Sequence, residues 1–390
     1  MKIKSSKTFD QICEELGLRS QFLLELSMRC SSLYTTYDIP KRSGGTRTIS
    51  VPDKNLKSVQ RALLDIIFHR FEMPDHVHGC VKGRSIATNA KGHTNQTLVI
   101  NIDLKNFFGT IKYAQVVEIF KNHFNFDDQS SEIFARLTTY GDCLPQGAPT
   151  SPTLANIAAL KLDTAILDIC KENLAPGTFH YSRYVDDISV SGGRELGLLI
   201  HAFYQSIFDL GFKANTKKLR IQRQSDRQKV TGITVNKKLN PSKKLVRKVR
   251  QQIYYCKKFG VAQHCKQVGI DPISYQEKIY GELGFIGMMR PDLEAWFNLD
   301  LKKATETYYP NTNSEEQKLL FLVEAIDKEL KIEFEYDFYG SYEDESVVAV
   351  PVEIFVNEYG HKSLRGYQLE PDQGWKKYFV ADIRNLRAVE

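Results

Sequence analysis

Two adjacent acids interrupt a strand-forming run, Phe179-His180-Tyr181-Ser182-Arg183-Tyr184-Val185-Asp186-Asp187-Ile188-Ser189-Val190, and they limit what the chain can fold into. Aromatic and β-branched residues on both sides favour extended backbone, so the run reads as a hairpin whose tip holds two carboxylates beside a cleft. A third acid, Asp103, closes the apolar stretch Leu98-Val99-Ile100-Asn101-Ile102. Acids on separate strands suit two hard cations such as Mg²⁺, which take oxygen ligands and keep several waters. The chemistry implied is in-line displacement on a phosphate, with the ions offsetting charge on the phosphoryl oxygens. An ordinary polar turn would also accommodate Asp186 and Asp187, because Asp is a common turn residue.

Between these acids lies Leu144-Pro145-Gln146-Gly147-Ala148-Pro149-Thr150-Ser151-Pro152, followed by an amphipathic run over 153–170. Leu154, Ile157, Ala158, Ala165, Ile166 and Ile169 recur at helical spacing, so a loop leads into a helix that packs under the cleft. Gly147 allows close backbone approach to a ligand, and Gln146 carries both donor and acceptor groups for a nucleotide.

On these residues the chain resembles a reverse transcriptase. Asp103 with Phe108 is similar to that family's first catalytic motif, the 144–152 loop to its second and Tyr184-Val185-Asp186-Asp187 to its third, in the family's order. The resemblance implies an α+β right-hand polymerase of fingers, palm and thumb, with Asp103, Asp186 and Asp187 as ligands of two Mg²⁺ ions. It also implies that Phe108 excludes a ribose 2′-hydroxyl, while Phe107 reads as core. Residues 40–52 read as two short strands around Gly44-Gly45, a basic fingertip or an ordinary solvated hairpin, and the resemblance implies that Arg47 and Lys41 clamp the triphosphate of an incoming deoxynucleotide there. Lys218, in a segment similar to the next polymerase motif, would protonate the leaving pyrophosphate.

Two shorter segments narrow the resemblance. Asn89-Ala90-Lys91-Gly92-His93 and Val230-Thr231-Gly232 are similar to the paired signatures of retron reverse transcriptases. Through Asn89, His93, Val230, Thr231 and Gly232 the resemblance implies recognition of a cognate noncoding RNA that is both primer and template. It further implies priming from a guanosine 2′-hydroxyl, trimming by a host RNase H, a small RNA-linked DNA product, and anti-phage defence with an effector protein. A group II intron maturase, another defence-associated reverse transcriptase and a mainly RNA-binding scaffold remain alternative readings.

Beyond Gly232 the chain is crowded with cations, Lys243, Lys244 and Arg247 among them, interleaved with Tyr254, Tyr255 and Phe259. Cations neutralise phosphates and aromatic faces stack on unpaired bases. Leu245, Val249 and Ile253 keep a four-residue step, leaving one face to pack and a basic face for RNA. The net charge of +6 divides into about +14 over residues 1–310 and about −8 over 311–390, which places nucleic acid along the first part.

The expected organisation is a helical element over 1–39, fingers and palm over 40–240, a thumb over 241–310, and a linker helix with a small β-barrel over 311–390. In the N-terminal element Ile12, Leu16, Phe22, Leu23 and Leu26 are the candidate buried positions. The last segment alternates in polarity and offers five short strands, and it resembles a WYL domain, an Sm-like barrel, through Val350-Pro351 and residues 361–367 and 377–386. Seven scattered cysteines lack zinc-site spacing and read as reduced thiols in the cytoplasm. Residues 1–10 are polar and basic rather than a signal peptide, and no apolar run is long enough to cross a membrane.

Overall fold

The computed structural model describes residues 6–41, 44–270, 272–306, 315–336, 345–356 and 361–389. The chain divides into two compact units, Met1–Ser242 and Lys243–Glu390. In the first, strands β1 (Tyr34–Pro40) and β2 (Thr46–Pro52) form a hairpin. Four more, β3 (Leu98–Asp103), β4 (Phe179–Tyr184), β5 (Asp187–Gly192) and β6 (Arg220–Arg223), form an antiparallel sheet in the order β4-β5-β3-β6. A short ladder, β7 (Lys229–Val230) with β8 (Ile233–Thr234), follows.

The sheet is apolar because helices cover it. Ile100, Ile102, Ile188 and Val190 share one core with Phe120 and Phe134 of the Tyr113–Phe124 and Asp128–Thr138 helices, and with Leu162, Ile166 and Phe203. The N-terminal helices Phe9–Leu16 and Ser20–Arg29 join this core through Ile12, Leu16, Leu23 and Leu26, while Phe22 packs at its margin. Gly17, with φ 65°, ends the first of them in the left-handed conformation that only glycine adopts without strain. The expected helix over 153–170 is two helices, Ser151–Ala158 and Leu160–Asn173.

The second unit holds two further cores. Helices Lys243–Phe259, Val261–Val268, Pro272–Gly287 and Pro291–Glu306 bury Val249, Ile253, Cys256, Ile279, Leu283 and Phe297, with Leu245 packed at the edge. The helix Glu315–Asp327 then packs Leu322 and Ala325 with Ile332, Phe334, Val347, Leu364 and Tyr378 of a five-stranded sheet.

That sheet consists of β9 (Lys331–Tyr336), β10 (Glu345–Val356), β11 (Lys362–Glu370), β12 (Gly374–Phe379) and β13 (Arg384–Val389), in the order β12-β11-β10-β9-β13. All five expected strands are present, but the closed barrel is not. Closure requires a ladder between β12 and β13, whereas these consecutive strands lie at opposite edges and β13 pairs with β9. Register shifts in the β10–β11 ladder, beside Val348 and Pro351, bend the sheet without joining its edges among the described residues. The expected linker at 311–314 and the strand residue Phe338 lie outside the described residues. Among the described residues no helix is long and apolar enough to cross a membrane, and none of the seven cysteines is bonded to another.

Candidate active site

The three acids are brought together by the β3–β5 ladder. Asp103, the last residue of β3, pairs in register with Asp187, the first residue of β5. Asp186 occupies the turn between β4 and β5, and its carbonyl accepts from Leu104 N at 2.9 Å. The preceding Val185 has φ 58°, left-handed backbone that a β-branched residue adopts only under strain. Lys218 lies 2.9 Å from the Asp103 carboxylate, and Asn215 Nδ2 donates to the same group at 3.1 Å.

Negative charge is incompletely balanced here. Burial, then Asp186 and Asp103, push Asp187 up to about 6. Burial also raises Asp186, with Asp103 adding to the rise and Lys218 and Arg47 opposing it. Carboxylates held against mutual repulsion are hard oxygen donors that a divalent cation would relieve. Among the described residues no group of three His, Cys, Asp or Glu side chains is arranged to hold a metal ion by itself. A cleft of about 420 Å³ opens beside the acids, lined by Asp103, Asp187, Lys218, Arg220, Thr231 and Gly232 among others.

The reverse transcriptase (RNA-dependent DNA polymerase) family model matches residues 39–235, half of the chain and the whole of this sheet. The chain belongs to the reverse transcriptase family. Among curated relatives, it is 29% identical over 281 residues to the retron Mx65 reverse transcriptase of Myxococcus xanthus, covering 66% of this chain and 62% of that one. It is 31% identical over 233 residues to the retron Mx162 reverse transcriptase of the same organism, covering 52% and 47%. It is 28% identical over 241 residues to the retron Ec86 reverse transcriptase of Escherichia coli, covering 60% and 73%. The chain thus spans less than two thirds of the first two relatives. A telomerase structure from Candida albicans aligns over 76% of the chain at 11% identity with a TM-score of 0.41.

The remaining expected site residues fall into two groups. Arg47 is exposed on β2, and its charge reaches Asp186. Lys41 is exposed at the mouth of the β1–β2 hairpin. Phe107 is buried and Phe108 is half-buried beside it, with ring centroids 5.7 Å apart. The carbonyl of Gln146 accepts from Ser50 N at 2.8 Å, and a Cβ on Gly147 would lie 2.7 Å from Ser50 O, so the 144–152 loop closes onto the fingertip hairpin only with glycine there. Lys243, Lys244 and Arg247 are exposed on their helix in the second unit.

Asn89, His93 and Val230 require a correction. All three are fully buried and cannot touch RNA from these positions. His93 sits between Ser191 and Ser182, each hydroxyl 2.7 Å from a ring nitrogen, and burial followed by His180 and His78 holds it well below the usual histidine range, hence neutral. Asn89 Nδ2 reaches Thr231 Oγ1 at 3.5 Å, so the two signature segments, distant in sequence, meet. Only Thr231 and Gly232 of the five line the open cleft.

The sequence reading missed Arg220 and Lys229 in the cleft wall and, behind the acids, a buried network of Arg183, Asp163 and Asn156. Its signal was present: Tyr181 and Arg183 share one face of a strand, and Asp163 falls between Leu162 and Ile166 on a helix.

The raised Asp187 carboxyl has a measurable consequence. A group that titrates higher folded than unfolded loses stabilisation as pH rises from its unfolded value, about 4, through its folded value. In chelator-treated protein, Asp187→Asn is therefore expected to raise the melting temperature at neutral pH and to lose that advantage near pH 4. Mg²⁺ should stabilise the parent more than the variant; an equal response of both proteins to Mg²⁺ would contradict this.

Proposed function

We propose that this chain is the RNA-directed DNA polymerase of a retron, copying a structured noncoding RNA into a small RNA-linked DNA. The observation that carries the reading is Asp103 registered opposite Asp187, with Asp186 at the adjoining turn and Arg47 and Lys218 close enough to act on their charge. Retron reverse transcriptases among the relatives favour this class over an intron maturase.

Asp103, Asp186 and Asp187 would hold two Mg²⁺ ions, which would supply activation of the attacking hydroxyl and charge stabilisation for the leaving pyrophosphate. Arg47 and Lys41 bind the triphosphate, Gln146 orients the incoming nucleotide, and Phe108 occupies the space a 2′-hydroxyl would need. Lys218 holds the Asp103 carboxylate in the resting site and donates a proton to pyrophosphate once substrate displaces it. Thr231 and Gly232 contribute cleft surface to the RNA, and Lys243, Lys244 and Arg247 neutralise its phosphates. Phe108→Ala should raise ribonucleotide use relative to deoxynucleotide by about tenfold or more. Unchanged discrimination in competitive incorporation would remove Phe108 from this role.

An effector protein acts with the chain in anti-phage defence, the C-terminal segment is a sensor or a docking surface, and a host RNase H trims the template. Purification from the native operon, with sequencing of bound nucleic acid before and after RNase, tests the whole reading. A branched RNA–DNA species is the expected product. Bound RNA with no attached DNA, and defence that survives Asp186→Ala with Asp187→Ala, would favour the scaffold reading instead.

A further inference from the structure

Directly behind the acidic turn, Arg183 is fully buried, and so is Asp163. Arg183 Nε and Nη2 bond the two Asp163 oxygens at 2.6 and 2.7 Å. Nη1 donates to Asn156 Oδ1 at 2.9 Å and to the Val185 carbonyl at 3.1 Å, and Nη2 also reaches Asn156 O at 3.1 Å. All five guanidinium donors are thereby used. Tyr181 also donates to Asp163, at 2.6 Å, and His76 Nε2 lies 3.5 Å from the same carboxylate.

Four of these five bonds hold the arginine in place. The fifth reaches the strained Val185, one residue before the first acid of the tip. The amide side of the same residue is closely packed as well. A Cβ on Gly79 would lie 2.5 Å from Val185 N and Cγ2, and Asn156 Nδ2 binds Gly79 O at 2.7 Å. The segment carrying Gly79 is fastened to Arg183 itself, through Arg183 N to His76 O and His78 N to Arg183 O, both 2.8 Å.

We propose that Arg183, fixed by Asp163 and Asn156, is a positioning residue that locks the Val185 peptide in its left-handed turn and so sets the direction of the Asp186 and Asp187 carboxylates. The inference rests on reading those carboxylates as ligands of divalent ions. A buried ion pair adds little net stability over an apolar pair of the same volume. Backbone geometry at the turn is what the pair supplies and an apolar pair does not. Groups that orient metal ligands typically change metal affinity by about 10- to 100-fold when removed.

The test uses the full chain freed of nucleic acid, with Mn²⁺ as the probe, titrated calorimetrically alongside thermal melting and primer extension. Two variants are compared: Arg183→Met with Asp163→Leu, which removes the pair as a unit, and Arg183→Lys, which keeps a charge beside Asp163 but loses the planar fork. Both are expected to weaken Mn²⁺ binding at least about tenfold and to raise the half-saturating Mg²⁺ concentration for synthesis, with Arg183→Lys also melting below the parent because lysine leaves buried acceptors of the guanidinium unpaired. A folded variant of either kind with parental Mn²⁺ affinity overturns the proposal. If the parent binds Mn²⁺ in a manner that needs Asp186 and Arg183 but makes no DNA, the polymerase reading fails and the positioning role stands.

Discussion

Asp186→Asn and Asp187→Asn are each expected to lower DNA synthesis by about three orders of magnitude or more. Asn keeps the shape of the side chain and removes its charge, so the hairpin stays intact while the electrostatic hold on a divalent ion weakens by several kcal/mol, at about 1.4 kcal/mol per tenfold in rate. Asp187 is already costly to ionise, with its carboxyl pushed up to about 6 by burial and by Asp186 and Asp103. The variant should therefore fold at least as well as the parent. That separates the expected loss from misfolding: primer extension on an annealed RNA template falls while the melting temperature does not. Synthesis within tenfold of the parent in either variant would remove these acids from the chemistry.

Asp163→Ala is expected to have the largest effect on stability, about 3–5 kcal/mol, because it strands the Arg183 guanidinium in a dry interior. In the parent, burial pushes Asp163 up but Arg183 more than compensates, so the carboxyl titrates below its usual range. Its contribution is present above the unfolded carboxylate value and is lost as pH falls through the lower folded one. Near neutral pH the cost of the variant should be constant. At about 2–4 °C per kcal/mol for a domain of this size, the melting temperature should fall on the order of ten degrees. A shift of a degree or two would mean that water or a rearranged side chain reaches Arg183, and the network would then be looser than its geometry implies.

The contrast between these variants marks where the sequence was legible. Strand signals at 98–103 and 179–190 located Asp103 at a strand end and Asp186 and Asp187 at a hairpin tip, because each depends on residues within a few positions of itself. The Gly147 loop was readable for the same reason, and the structure adds its partner, Ser50. The C-terminal strands were found from alternation, but whether their edges meet depends on pairing that alternation does not encode.

Taken alone, the order of residues determined which elements form and which acids they present, since propensity and periodicity act locally along the chain. Burial is decided by what packs above a residue, and that follows from contacts between distant segments. His93 and Asn89 read as polar groups open to RNA until the covering strands made them interior, with Ser182, Ser191 and Thr231 taking the place of water. Arg183 carried no role in the sequence beyond its place in the strand before the acidic turn. Asp163, twenty residues away in sequence, converts it into the fixed support of that turn, because a charge leaves water only where folding brings its counter-charge to meet it.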